Sequence, residues 1–272
     1  MKVALTVAGS DSGGGAGIQA DLKTFHRFGV FGTSAVTAVT AQNTTGVLHW
    51  EALQPSLVKA QIDAVATDLR PRSVKSGMLA NEGIARAVAA ALREHEMGPY
   101  VLDPVMVATS GDLLVDGGTA EAIRALLLPL AALVTPNSDE AAVLAGFPVQ
   151  NSDDMHRAAE AIFLLGASAV LVKGGHIASA RDESVIDVFY DGAFEVFTHP
   201  RIATTSTHGT GCTLSAAIAA QLAHDTPLRT SVRVAIDYVH SAIASAPGLG
   251  AGNGPLNHFA GGSLPTNAVT SA

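Results

Sequence analysis

Short apolar runs alternate along this chain with longer stretches of helical periodicity. Residues 3–8 are apolar and close in Gly9, the pattern of a buried strand. GSDSGGGAGIQADLKTF then passes through glycines into a helix that starts near Ala16 or Gly17. Residues 33–41, small and β-branched, predict a second strand that ends in the polar cluster Gln42-Asn43-Thr44-Thr45-Gly46. Over residues 56–68 Leu57, Ala60, Ile62 and Val65 fall on one helical face. Strands are predicted at 73–76, 100–103, 132–135 and 169–172, and helices from beyond Leu79 to about 94, over 119–127, after Asn137 and from a Ser152 cap to about 165. Residues 185–190 and 193–198 flank Asp191-Gly192, a hairpin signal. Two more helices are expected over 213–223 and from about 227 to 246.

Strands that alternate with helices imply a mostly parallel sheet covered on both faces, interrupted here by one hairpin. The fold class expected is therefore three-layer α/β/α. No internal repeat and no long linker divides the chain, so a single domain is expected over residues 1–259, with a disordered tail over 260–272.

Composition narrows the function. Of 272 residues 48% are hydrophobic and 15% charged, enough apolar material to exclude a disordered chain. A net charge of −8 with 16 Lys+Arg excludes a general nucleic-acid or membrane-surface binder. A small molecule carrying phosphate needs only a local positive site and stays open. The single cysteine excludes a disulfide framework and a cysteine zinc cluster, and suits a reducing compartment. With no signal-peptide core and no apolar stretch of membrane length, a soluble cytoplasmic protein is expected.

The stretch TTSTHGTGCTLSAAIAA, residues 204–220, carries the strongest chemical signal. Gly209-Thr210-Gly211 resists helix, so it is expected to turn just ahead of one, with first-turn amides pointing outward as an anion site. Cys212 would lie at that positive end, where a thiolate is favoured. The rival is an ordinary helix start with a packed cysteine. Two nucleotide motifs fail: no Gly-Lys pair exists for a P-loop, and between Asp21 and Glu51 there is no acid to hold a ribose. Gln42 is a turn residue or a ligand contact at a strand's carboxyl end, Met78 a core filler or a pocket wall, and Asp103 a cap or a polar group on the active edge. Asn137 and Glu140 have the spacing of a capping box, and equally suit a magnesium-phosphate contact through water. Lys173, after an apolar run and before two glycines, either snorkels outward or aims at a phosphate. His176 is expected in a loop.

In order along the chain, GSDSGGGAGIQADLKTF, AQNTTGV, SGML, LDPVM, TPNSDEAAVL, VKGGH, THGTGCTLSAAIA and GPLNHF resemble the hydroxymethylpyrimidine/phosphomethylpyrimidine kinases of the ribokinase-like superfamily. The resemblance spans residues 3–259. It implies an ATP- and Mg2+-dependent kinase that phosphorylates 4-amino-5-hydroxymethyl-2-methylpyrimidine and then its monophosphate, in thiamine biosynthesis. It also implies a homodimer. Under it Gly209, Thr210 and Gly211 resemble an anion hole, and Cys212 stands where most of the superfamily has a base aspartate. Lys173 resembles a charge stabiliser, Asn137 and Glu140 a magnesium and phosphate element, with Glu140 meeting the metal through water. Ala16, Asp21, Gln42, Met78 and Val105 match positions lining the pyrimidine pocket. The first loop departs from the family pattern, with Ser12 and Gly13 in place of Pro and Ser, and is expected to be more flexible. Pyridoxal kinase activity is the nearest alternative, and a catalytically silent binding protein the rival from another class.

Overall fold

The computed structural model describes residues 1–106, 118–175 and 184–261. In chain order the elements are β1 (Val3–Asp11), α1 (Gly17–Arg27), β2 (Phe31–Asn43), β3 (Gly46–Ala52), α2 (Pro55–Asp68), β4 (Ser73–Ser76), α3 (Glu82–Glu94), β5 (Tyr100–Leu102), α4 (Thr119–Ala122), β6 (Leu133–Val134), α5 (Ser138–Ala145), α6 (Ser152–Leu164), β7 (Val170–Val172), β8 (Ser184–Tyr190), β9 (Phe194–Pro200), α7 (Thr210–Ala223) and α8 (Leu228–Ala244). The strands form one nine-stranded sheet in the order β3-β2-β1-β4-β5-β6-β7-β8-β9. From β2 across to β7 every pairing is parallel, and antiparallel strands are added at both flanks.

The α/β/α class follows from burial on both faces of the sheet. Along β1, Leu5 and Val7 join the apolar layer under α2, α3 and α6, while Ala4 joins the layer under α1, α7 and α8. A parallel strand covered on both sides reads as a continuous apolar run, which is why residues 3–8 were legible as a strand.

The expected hairpin forms between β8 and β9 around Gly192, whose φ is +102°. A second hairpin, β2–β3, was not expected. The cluster read as a strand end is in fact its turn: β2 runs on to Asn43, Asn43 pairs with Gly46, and the Asn43 side chain accepts from the Thr45 amide. The α6 cap is Asn151, which accepts from the Asp154 amide, and not Ser152. The helix expected over 119–127 is α-helical only to Ala122 and continues as a π turn over Ile123–Leu127. Ala260, expected to begin a tail, is buried and its carbonyl accepts from Arg27 Nε at 3.0 Å. His176 and residues 262–272 lie outside the described residues.

One expectation about the site is overturned by the packing. Asp21 does not face the cavity described below; it is fully buried on α1, turned toward the sheet. Its carboxylate accepts from Lys75 Nζ at 3.0 and 2.8 Å and from Thr6 Oγ1 at 2.6 Å. Lys75 on β4 is equally buried, and although burial works against its charge, Asp21 and the nearby Cys212 and Asp103 hold its pKa above the usual lysine value. Breaking such a pair leaves an uncompensated buried charge, so Lys75→Met should lower stability by about 3–5 kcal/mol. The double variant Asp21→Leu/Lys75→Met should recover most of that loss. Urea unfolding of the three proteins checks this, and a double variant no more stable than Lys75→Met would contradict it.

Candidate active site

The carboxyl ends of the parallel strands open into a cavity of about 710 Å³. This is the edge at which open α/β sheets bind ligands, and the size suits a small molecule. Ala16, Gln42, Met78, Val105, Asn137, Glu140, Lys173, Gly209, Thr210, Gly211 and Cys212 all line it. Residues far apart in the chain are brought together because each follows its strand or opens the next helix.

Gly209 is the N-cap of α7, with φ +82°. A side chain there would be strained by that angle and would run into the Gly15 carbonyl, so the glycine lets two loops touch. The helix begins at Thr210, three residues earlier than expected, and Gly211 lies in its first turn. The Thr210 and Thr213 amides bond to the carbonyls of Thr207 and Gly209, whereas those of Gly211 and Cys212 make no hydrogen bond to the described residues. Free first-turn amides at a helix N-terminus form an anion site. Beside them a Cβ on Gly211 would stand 3.1 Å from Lys173 Nζ, so the lysine lies against the same turn.

Cys212 also receives the Gly17 amide from the start of α1, so two helix N-termini meet at its sulfur. The expectation that this position favours a thiolate is nevertheless reversed. Burial pushes the thiol up to about 11; Lys75 and the Gly17 amide pull it down, and Asp21 and Asp103 push it further up. Desolvation outweighs the helix ends, so the unliganded protein favours the neutral thiol.

Lys173 does not snorkel to solvent. It donates to Asp103 Oδ1 at 3.0 Å, and Asp103 also accepts from Ser215 and Thr135, each at 3.3 Å. Asp103 is therefore a polar group on the active edge. Asn137 and Glu140 form the complete capping box, with bonds of 2.9 and 2.8 Å. The same Glu140 lines the cavity, so the capping and ligand readings coexist. Burial pushes Glu140 up to about 7, against the charge of Lys173 and with that of Asp103; the Asn137 and Met106 amides favour its ionised form. Two carboxylates beside a lysine make an oxygen donor set that suits a hard cation such as Mg2+ binding through water.

Sequence reasoning missed the buried pair of Asp11 and His208. Asp11, at the end of β1, accepts from the amides of Gly13, Gly15 and Ala16 and from His208 Nε2 at 2.9 Å. An acid separated by one residue from the glycine run that follows it is the signal that could have shown it. Far from loose, the first loop is also clamped by Ser12, whose Oγ donates to the Gln42 carbonyl and accepts the Gln42 amide, both at 2.7 Å. A proline could make neither bond.

An anion turn and a lysine–aspartate pair in one cavity at the carboxyl edge of this sheet define a small-molecule kinase of the ribokinase-like class. Similar solved structures include the Bacillus subtilis pyridoxal kinase in complex with ADP, at TM-score 0.88 and 36% identity over 96% of this chain and 98% of that one. The family model described as Phosphomethylpyrimidine kinase matches residues 11–257. The hydroxymethylpyrimidine/phosphomethylpyrimidine kinase of Rhizobium meliloti is 50% identical over 94% of this chain and 97% of its own. That of Bacillus subtilis is 46% identical over 94% of each. The chain belongs to the phosphomethylpyrimidine kinase family.

Because Cys212 is the only cysteine, its titration can be read directly. The rate of alkylation by iodoacetamide in the unliganded protein should keep rising with pH through 9. A plateau below pH 8 would contradict a thiol whose pKa is pushed up.

Proposed function

We propose that this protein transfers the γ-phosphoryl group of ATP to 4-amino-5-hydroxymethyl-2-methylpyrimidine, and then phosphorylates the monophosphate to the diphosphate, as a step in thiamine biosynthesis. The observation that carries the reading is the placement of the free Gly211 and Cys212 amides and the Cys212 sulfur in one cavity with Gln42 and Met78. Met78 offers a polarizable surface to a flat ring, and Gln42 both donates and accepts hydrogen bonds, as an aminopyrimidine edge requires.

In this reading the hydroxymethyl oxygen attacks the γ-phosphorus. The bond to the β-phosphate oxygen breaks, and ADP leaves with the electron pair. Cys212, once ionised, takes the hydroxyl proton, and the Lys75 charge beneath it favours the thiolate. The first-turn amides of α7 and Lys173 stabilise charge on the transferred group, where phosphoryl transfer draws most of its catalysis. Mg2+, held by Glu140 through water with Asp103 and Asn137 beside it, would supply charge neutralisation on the phosphates. Ile202, Val239 and Ile243 form an apolar wall of the same cavity suited to a nucleotide base.

The similarity to pyridoxal kinases favours one second reading, a side activity on pyridoxal or pyridoxine. Both alcohols present a hydroxymethyl group on a flat heteroaromatic ring. The unit of function is a single kinase domain, cytoplasmic and homodimeric. Among the described residues no helix is long and apolar enough to cross a membrane, and the exposed Phe31, Val39 and Leu48 on the β2–β3 flank support self-association.

Incubation with ATP, Mg2+ and the aminopyrimidine alcohol should yield the monophosphate and then the diphosphate. Turnover of pyridoxal with kcat/KM above that for the aminopyrimidine would overturn the assignment. Cys212→Ala should lower kcat by about 10²–10⁴-fold, the worth of general-base catalysis, with folding preserved. Kinetics within a few-fold of wild type would leave the thiol a packing role. Glu140→Gln keeps an acceptor for the Asn137 amide but removes the carboxylate. It should raise the Mg2+ requirement and lower kcat with little change in Tm, and an unchanged Mg2+ dependence would reduce Glu140 to a helix cap.

A further inference from the structure

Gln42 is an amide, and which of its ends faces which neighbour decides what it can offer a ligand. One end lies 3.2 Å from Thr40 Oγ1 and the other 3.5 Å from His208 Nε2. The two ends have the same shape, so the supply of donors and acceptors has to settle the orientation.

The His208 end is settled by Asp11. Its Oδ2 already accepts the amides of Gly15 and Ala16, at 3.0 and 2.8 Å, and Oδ1 accepts that of Gly13 at 2.8 Å. Among the described residues every group bonded to this carboxyl is a nitrogen that can donate, so it has no use for a proton of its own. The His208 bond and the Ala16 and Gly13 amides hold its pKa below the usual value in spite of burial. An ionised carboxylate only accepts, so His208 Nε2, 2.9 Å from it, carries a proton. A second N–H pointed at that nitrogen would set two donors face to face. The Thr40 end agrees. The Thr40 hydroxyl has one proton and two groups in reach, the Ser10 carbonyl at 3.0 Å and Gln42 at 3.2 Å; given to the shorter contact, that proton leaves the oxygen to accept from Gln42.

We propose that the buried Asp11–His208 pair is a positioning device for substrate specificity: it turns the Gln42 carbonyl toward His208 and the Gln42 nitrogen toward Thr40, so that one N–H and one carbonyl lone pair are presented to the cavity in fixed order. A ring that offers an acceptor and a donor in the matching order, as an aminopyrimidine edge does, is bound without first paying to orient the amide. The reverse order meets a mismatched pair. Ser12 holds the Gln42 backbone by two bonds, so only the side chain remains to be oriented. The inference rests on the reading of Gln42 as the residue that binds the pyrimidine edge.

A double-mutant cycle tests it. The KM for the aminopyrimidine alcohol is measured at saturating ATP for wild type, Gln42→Leu, His208→Leu and the double variant, with His208→Met in place of His208→Leu should the leucine protein not fold. His208→Leu should raise that KM about tenfold, the worth of one hydrogen bond, with kcat within a few-fold and the KM for ATP unchanged. The double variant should be no worse than Gln42→Leu alone, because His208 acts through Gln42. His208→Gln, which restores an N–H near the Nε2 position, should return most of the affinity. Additive effects of the two substitutions, or a wild-type KM in His208→Leu, would overturn the positioning role while leaving the pyrimidine reading intact. A Gln42→Leu enzyme with wild-type KM would instead remove the pyrimidine reading, and the inference with it.

Discussion

The cavity depends on charge that is buried and still paired. Asp11, Asp21, Asp103, Glu140, Lys75 and Lys173 gather at or beneath the carboxyl ends of adjacent strands, most of them almost inaccessible to water. Each would be costly alone, and each is held by partners that leave little freedom: three amides and a histidine on Asp11, a lysine and a threonine on Asp21, a lysine and two hydroxyls on Asp103. The parallel sheet makes this possible by ending its strands side by side on one edge. The anion turn of α7 and the first glycine loop then close over that edge, in contact through Gly209 and Gly15.

Much of this was legible in the sequence. Gly209, Gly211, Cys212, Lys173 and Glu140 were found because their residue types carry chemistry at strand and helix ends, and the structure brings all of them to one cavity. The alternating architecture was equally plain from apolar runs such as residues 170–172, buried throughout. The unread parts share a cause, which is that they are settled by distant contacts. Asp21 matches a pocket position in its motif, yet it turns toward Lys75, 54 residues away, and leaves the cavity. Asp11 and His208 are separated by 197 residues, and nothing local joins them. β3 was missed because it is a short, half-exposed edge strand, joined to β2 by a Thr44-Thr45 turn that lacks the usual Asn-Gly or Asp-Gly signal.

Cys212 shows the same limit in its chemistry. Position at a helix N-terminus is a local property, and it argues for a thiolate. Burial beside two aspartates is a property of the fold, and it prevails. The thiol is therefore pushed toward its neutral form, and the role of base proposed for it requires its ionisation. Lys75, charged and fully enclosed below it, is the fixed group that favours that change.

The most direct test of this account is the pH dependence of phosphoryl transfer in a single turnover, with enzyme in excess over the aminopyrimidine alcohol and ATP saturating. If transfer waits on ionisation of a buried thiol, the rate should climb with pH and continue to climb beyond pH 8. A rate that is flat between pH 6 and 9 would contradict Cys212 as the base.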